Sequence, residues 1–225
     1  MNYRFDFGPI WQARDLIVSG FLMTVALSAA SLIAALVIGF IVGGMGASTS
    51  RKLRAGSAVF VDTMRNIPLL VHMYFWYMAL AFLKLPAFAC AVLGLSLYSG
   101  AYVAEIVRAG VGSVPRGQTM AALATGLTRL DTLRYVIYPQ ALRIVAPSLA
   151  SLFSQLIKDS SLASVIAVAE LTYQAGAIEG QTFRTFEVYI TISILYLVLV
   201  TAVSQLVLLI PGAREDALAG RLSDA

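Results

Sequence analysis

Residues 17–45 read IVSGFLMTVALSAASLIAALVIGFIVGGM, and no charged side chain occurs between Asp15 and Arg51. A helix that crosses a bilayer needs about 20 mainly apolar residues. The stretch therefore predicts a membrane-spanning helix over 17–45, and it is too long for the apolar core of a signal peptide. Gly39 and Gly43 form a ridge of small residues that allows close helix packing, either within one bundle or against a partner helix.

The rest of the chain has the same apolar character. Hydrophobic residues make up 59% of the 225 residues and charged residues only 12%, with a mean hydropathy of +0.82. A soluble domain has about 25% charged residues, so this composition excludes an ordinary soluble protein. The single cysteine, Cys90, and the single histidine, His72, argue against a disulfide framework and a Cys/His zinc site. We interpret Cys90 as a small apolar residue within a helix.

Four more apolar stretches predict further spanning helices, at residues 56–83, 85–106, 144–168 and 188–211. The predicted fold is therefore an all-α membrane protein with five transmembrane helices. The predicted organisation is an outer N-terminal segment at 1–16, one membrane domain at 17–211 and a polar tail at 212–225.

The distribution of lysine and arginine predicts the orientation, because cytoplasmic loops are enriched in these residues. One side carries ten of them: Arg51, Lys52, Arg54, Arg108, Arg116, Arg129, Arg134, Arg143, Arg214 and Arg221. The other side carries four: Arg4, Arg14, Lys84 and Arg184. We therefore expect an outside amino terminus and a cytoplasmic carboxyl terminus. The net charge of +4 reflects these loops and does not indicate nucleic-acid binding.

The loop at residues 111–143 is too polar to span and predicts two short helices. The first is alanine-rich, and Gly126 can end it in the left-handed conformation. Thr128 and Asp131 predict a capping box at the start of the second helix, and Pro139 is expected to end that helix. Such short helices are marginal in water and need a surface. The loop either docks a cytoplasmic partner or rests on lipid or on its own bundle.

The same loop resembles a known signature. GQTMAA at 117–122, followed by Gly126 and by IYPQA at 137–141, resembles the EAA motif of binding-protein-dependent ABC importer permeases. The resemblance implies a type I importer permease fold and an ATPase-coupling loop. The residues assigned to that loop are Gly117, Gln118, Met120, Ala121, Ala122, Gly126 and Pro139. Met120 stands where that family usually has glutamate, and Tyr138 where it usually has leucine, so one charged contact with the ATPase is absent.

Other stretches extend the resemblance to about residues 19–212. They are RNIPLL at 65–70, SGAYVAEIVR at 99–108, KDSSLASVI at 158–166 and TFRTFE at 182–187. These stretches resemble polar amino-acid permeases, with glutamate/aspartate permease subunits as the nearest branch. The resemblance implies a multi-pass protein of the bacterial inner membrane, surrounded by lipid. It also implies two cytoplasmic ATP-binding subunits, a second permease subunit (identical or paralogous) and a periplasmic amino-acid-binding protein.

The chain itself has no G-x-x-x-x-G-K-[ST] phosphate loop, and none of its three lysines follows a glycine. We therefore expect no enzyme activity and no cofactor in this chain, with ATP bound by a partner subunit. The alternative is a self-sufficient secondary transporter or channel for small polar solutes. That class is expected to show inverted repeats and a dense network of intramembrane acids, and neither pattern is visible.

Polar residues inside the predicted spans are candidates for the substrate path, because ionisable groups in a bilayer are costly and usually functional. The candidates are Asn66, Tyr102, Glu105, Lys158, Asp159, Ser160 and Ser161. Alternatively, these charges are structural: Arg65 pairs with Asp62, Glu105 pairs with Arg108, and Lys158 and Asp159 hold helices together. Four charged residues near the last helix either meet a binding protein or are solvated: Glu170, Glu179, Arg184 and Glu187.

The orientation leads to a first prediction. A reporter fused at Arg214 should be active only if it functions in the cytoplasm, because the ten basic residues favour that side. The measurement compares, in whole cells, a cytoplasmic and a periplasmic reporter fused at this position. Activity of the periplasmic reporter at Arg214 contradicts the predicted orientation.

Overall fold

The computed structural model describes residues 3–208, and every regular element in that part of the chain is helical. The α-helices are α1 (Gly8–Gln12), α2 (Arg14–Gly46), α3 (Arg51–Asn66), α4 (Leu69–Ala79), α5 (Ala87–Ser113), α6 (Arg116–Ala124), α7 (Arg129–Asp131), α8 (Tyr138–Asp159), α9 (Leu171–Thr182) and α10 (Thr185–Leu208). Short 3-10 helices occupy Ala81–Leu83 and Ser160–Ile166, and a π-helical turn occupies Thr132–Ile137. The predicted tail at 212–225 lies outside the described residues.

Four helical runs of the described chain are long and apolar enough to cross a membrane: Arg14–Gly46, Ala87–Ser113, Arg129–Ile166 and Thr185–Leu206. The predicted span at 56–83 is not one helix. It is divided between α3 and α4 because Ile67, which precedes Pro68, adopts an extended conformation (φ −97°, ψ 128°). The 11 residues of α4 extend only about 16 Å, about half of the hydrocarbon thickness.

The broken segment nevertheless has to cross the membrane. The backbone N–H of Asp6, just before α2, donates to Glu187 Oε1 at 2.9 Å, near the start of α10. The starts of α2 and α10 therefore lie at the same membrane face, and an even number of crossings separates them. Three long runs lie between these starts, namely α2, α5 and Arg129–Ile166. The fourth crossing is therefore made by α3 and α4 together.

The chain forms two compact units, and four helices contribute residues to both: α2, α5, α8 and α10. The first contains residues 3–33, Pro68–Ser96 and Ser154–Ala202. Its core joins α1, α9 and α10 through Ile10, Leu171, Ala175, Ile178, Val188 and Ile192, with Ile17 and Phe21 of α2 packed against them. Cys90 is a buried free thiol in α5, as expected for a small apolar residue.

The second unit contains Ala34–Ile67, Leu97–Phe153 and residues 203–208. Its core includes Val103 and Val107 of α5 and Val145 and Leu149 of α8. The glycine ridge of α2 packs against α5 inside this unit. A Cβ on Gly43 would lie only 2.7 Å from the Ala104 carbonyl oxygen, and one on Gly39 only 2.3 Å from Val103 Cβ. The ridge therefore serves packing within the chain.

Candidate functional site

The loop between α5 and α8 contains α6, which begins after Pro115. The extended conformation of Pro115 (ψ 135°) separates α6 from α5. Within α6, Ala122 is buried, whereas the Met120 side chain is 69% exposed. Gln118 Oε1 accepts a long hydrogen bond from Gln140 Nε2 at 3.5 Å. The helix thus packs through its alanine and leaves the Met120 side chain accessible.

Gly126 ends α6 in the way the sequence predicts. Its φ is +88°, in the left-handed region that favours glycine. The Leu127 N–H donates to the Ala122 carbonyl at 3.2 Å, and the Gly126 N–H donates to the Leu123 carbonyl at 3.1 Å. This pair of bonds is a Schellman motif, which reverses the chain by backbone hydrogen bonds alone.

The second part of the loop begins with the predicted cap. Thr128 Oγ1 accepts a hydrogen bond from the Asp131 N–H at 3.2 Å, and the same hydroxyl donates to Asp131 Oδ2 at 2.5 Å. The prediction that Pro139 ends this helix is wrong, because α7, the π-helical turn and α8 follow one another without interruption. Pro139 is the second residue of α8, directly after the π-helical turn, and the helical run continues through it. The predicted fourth span consequently begins earlier than residue 144.

Most of the apolar face of the second short helix rests on its own unit. Ile137 and Ala141 form a buried cluster with Val114, and Leu133 and Val136 pack against it. Leu130 and Tyr135 stay exposed, as do Met120 and Leu123 of α6. A groove of about 400 Å³ lies in this unit, lined by Ala47, Thr49, Val111, Val114, Thr119, Leu123, Arg129, Thr132, Leu133 and Ile137. Both predicted roles are compatible with this arrangement, since one surface is used internally and another is available.

The second unit also brings together three polar residues from the predicted spans. Arg65 Nη1 lies 3.1 Å from Glu105 Oε2, and the Arg65 guanidinium lies 4.9 Å from the centre of the Tyr102 ring. Arg108 binds the other oxygen of Glu105 from one turn along α5, as the sequence predicts. The structural alternative for Arg65 paired it with Asp62, and its pairing with Glu105 corrects that alternative. The helical i, i+3 spacing of the sequence does not indicate Glu105 as a partner, because it lies 40 positions after Arg65.

A pocket of about 300 Å³ adjoins this cluster. Its lining carries both charge signs, from Arg54, Asp62, Glu105 and Arg108. Asn66 has a local role, because its Nδ2 donates to the Asp62 carbonyl oxygen at 2.7 Å near the end of α3.

The other four path candidates lie in the first unit, where α8 changes into a 3-10 helix. Asp159 Oδ1 accepts a hydrogen bond from Gln155 Nε2 at 2.8 Å, and Lys158 is exposed. The Ser160 hydroxyl is buried and donates to the Ile157 carbonyl at 2.7 Å, and the Ser161 hydroxyl donates to the Lys158 carbonyl at 2.7 Å. The serines therefore use their hydrogens on the backbone and keep their oxygens as acceptors.

Two carboxylates expected on the outer surface are buried instead. Glu170 is fully buried at the N-cap of α9, where it accepts from the N–H groups of Thr172 and Tyr173 at 2.9 and 2.8 Å. Tyr196 Oη donates to the same carboxylate at 2.8 Å. Burial raises the pKa of Glu170, and these hydrogen bonds oppose the rise. Glu187 is equally buried, so neither residue is placed to meet a binding protein.

Comparison with known proteins identifies the family. A family profile described as "Binding-protein-dependent transport system inner membrane component" matches residues 35–213. The chain belongs to this family. It is therefore an integral membrane permease subunit of a binding-protein-dependent transport system, as the sequence predicted.

Several members of this family are similar over most of the chain. The glutamine transport system permease protein of Escherichia coli (strain K12) is 38% identical over 205 residues, which cover 89% of this chain and 94% of the relative. The glutamate/aspartate import permease protein of the same strain is 34% identical over 205 residues, covering 84% and 83%.

Solved structures confirm the predicted type I importer permease fold. A crystal structure of an amino acid ABC transporter with histidines has a TM-score of 0.84 and 34% identity, and the match covers 95% of this chain and 100% of that chain. The methionine ABC transporter MetNI in an inward-facing conformation has a TM-score of 0.72 at 22% identity, covering 85% and 94%, and supports the fold alone.

The Schellman turn leads to a second prediction. Gly126→Val should weaken ATPase association and uptake, because a β-branched residue in the left-handed conformation costs about 1 kcal/mol or more. A Cβ at Gly126 would meet no atom within 4 Å, so the effect arises from backbone conformation alone. Co-purification of the ATPase with the membrane-inserted variant is the measurement.

The matched control is Gly112→Val in the last turn of α5. A Cβ at Gly112 also meets no atom within 4 Å, and its φ is not in the left-handed region. Normal ATPase co-purification and uptake with Gly126→Val would remove the turn from the coupling mechanism.

Proposed function

We propose that this permease subunit serves an ATP-driven importer of polar amino acids in the bacterial inner membrane. Two separate cytoplasmic subunits bind and hydrolyse ATP, a second permease subunit (identical or paralogous) completes the pathway, and a periplasmic binding protein delivers the substrate. The observation that carries the proposal is the exposed α6 surface, fixed by the turn at Gly126, on a chain without a phosphate loop of its own. Such a chain needs energy from a partner, and this loop offers a structured surface for one.

The similarity to named permeases supports glutamine, glutamate and aspartate as the substrate class. The sequence identity is 34% with a glutamate/aspartate permease, the branch expected from the sequence, and 38% with a glutamine permease. We therefore place glutamine first in the proposed range. These amino acids carry an ammonium and a carboxylate together, so a suitable path must offer both charge signs and hydrogen-bond acceptors.

Each unit provides such groups. In the second unit, the Arg65–Glu105 pair beside Tyr102 offers a cation, an anion and an aromatic face. In the first unit, Asp159 and Ser161 are half-buried, and the Ser161 hydroxyl oxygen remains available as an acceptor. Inserting an ionised side chain into the middle of a bilayer costs several kcal/mol by insertion scales. Ionisable residues within spanning helices are therefore usually functional.

The test of this function is uptake by proteoliposomes that contain the full complex and its binding protein. We expect radiolabelled glutamine, glutamate or aspartate to accumulate only with ATP on the ATPase side and with the binding protein present. Uptake by this chain alone without ATP would instead favour a self-sufficient transporter or channel. Transport of only apolar amino acids by the complete complex would contradict the substrate class.

The path residues lead to a further prediction. Asp159→Asn and Ser161→Ala should each reduce uptake about 10- to 100-fold, since a hydrogen bond to a charged group contributes about 1.5–3 kcal/mol. Both changes nearly preserve side-chain size, so complex assembly and basal ATP hydrolysis should persist. Initial uptake rates at saturating binding protein are the measurement.

Ser151→Ala in the preceding helix α8 is the matched control for the serine. Its hydroxyl is exposed and donates to the Pro147 carbonyl at 3.2 Å, so it also bonds only the backbone. Normal uptake by both path variants, or loss of the assembled complex, would assign Asp159 and Ser161 a structural role only.

A further inference from the structure

The amino-terminal segment is tied to the start of α10 by bonds between residues about 180 positions apart. Tyr3 Oη donates to Glu187, and the Asp6 N–H donates to the same carboxylate at 2.9 Å. Arg184 Nη1 donates to the Arg4 carbonyl at 3.1 Å, and its other terminal nitrogen lies 3.7 Å from Asp6 Oδ2. These bonds fix the segment against the first unit.

The two helices at this attachment mark the boundary of the hydrocarbon. Asp15 is the last charge before the uncharged run of α2, and Glu187 is the last charge before Arg214. Ile10 belongs to the same buried cluster as Val188, the residue directly after Glu187. The segment that contains residues 3–12 therefore lies at the level where both helices enter the membrane.

Aromatic side chains point outward from this segment and its surroundings. Trp11 is 72% exposed, whereas its neighbour Ile10 is 6% exposed and belongs to the core. The exposed rings of Tyr3 and Phe5 pack edge to face, with 5.2 Å between their ring centres. The ring centres of Tyr3 and Phe186 are 5.4 Å apart, also edge to face. The Arg14 guanidinium lies 5.9 Å from the Trp11 ring centre.

Phe183 gives an independent indication at the same level. Its φ is 55°, an uncommon conformation for a bulky residue, and its ring is 84% exposed. It directly precedes Arg184, which binds the amino-terminal segment. A strained backbone that holds an apolar ring outward is costly in water, and burying the ring in a lipid interface offsets that cost.

From this arrangement we infer that residues 3–12 form an interfacial anchor whose aromatic face lies among phospholipid headgroups. Tryptophan and tyrosine are enriched at this depth because one part of each ring system is apolar and the other can bond to water or headgroups. The side of the segment that carries Ile10 packs against the helix bundle, and the side that carries Trp11 contacts lipid.

Tryptophan fluorescence tests this anchor directly. The chain has two tryptophans, so Trp76→Phe leaves Trp11 as the only one. The full-length variant is reconstituted into phosphatidylcholine vesicles whose acyl chains carry bromine either near the headgroup or near the chain end. We expect loss of Trp11 emission with the shallow bromines, weaker loss with the deep bromines, and little quenching by aqueous iodide.

The converse variant, Trp11→Phe, reports incorporation into the same vesicles through Trp76. Strong iodide quenching of Trp11 with no effect of brominated lipid would overturn the anchor and favour a soluble partner on this face. Strongest quenching by the deep bromines would also overturn it, because Trp11 would then lie in the hydrocarbon. Neither outcome bears on whether the complex transports amino acids.

Discussion

In the hydrocarbon of a bilayer every backbone N–H and C=O has to bond within the protein, because no water is present to replace a missing partner. Continuous helices such as α2 and α10 meet this constraint by themselves. Where the helix geometry changes, polar side chains supply the bonds. Asn66 donates to a carbonyl near the end of α3, and Ser160 and Ser161 donate to carbonyls where α8 narrows into a 3-10 helix. These three path candidates thus have a local structural role, because their hydrogen atoms are used on the backbone.

The same constraint explains two carboxylates that are completely buried in the first unit. Glu170 accepts two backbone N–H groups and a tyrosine hydroxyl, and Glu187 accepts one N–H and a tyrosine hydroxyl beside Arg184. A buried carboxylate with several donors is far less costly than an isolated one. These residues therefore connect distant parts of the chain: Glu170 bonds a residue of α10, and Glu187 bonds the segment before α1.

Local sequence patterns predicted what depends on local physics. The uncharged run at 17–45 became α2, Gly126 took a positive φ, Thr128 capped α7, and Glu105 paired with Arg108 one turn away. The sequence analysis did not predict the Arg65–Glu105 pair, because the two residues are 40 positions apart. The break at Pro68 was visible as a proline, but the apolar residues on both sides favoured one continuous span. The burial of Glu170 and Glu187 was not visible at all, since it depends on tyrosines from other elements.

The loop shows why a departure from a family pattern can leave a structure intact. The orientation of α6 is set by backbone bonds between residues 122 and 127 and by the Thr128 cap that follows. None of these bonds involves the side chain of Met120, which is largely exposed. Methionine in place of the usual glutamate therefore changes the chemistry of the accessible surface and not its position. Because methionine is flexible and polarizable, that surface is suited to apolar contacts.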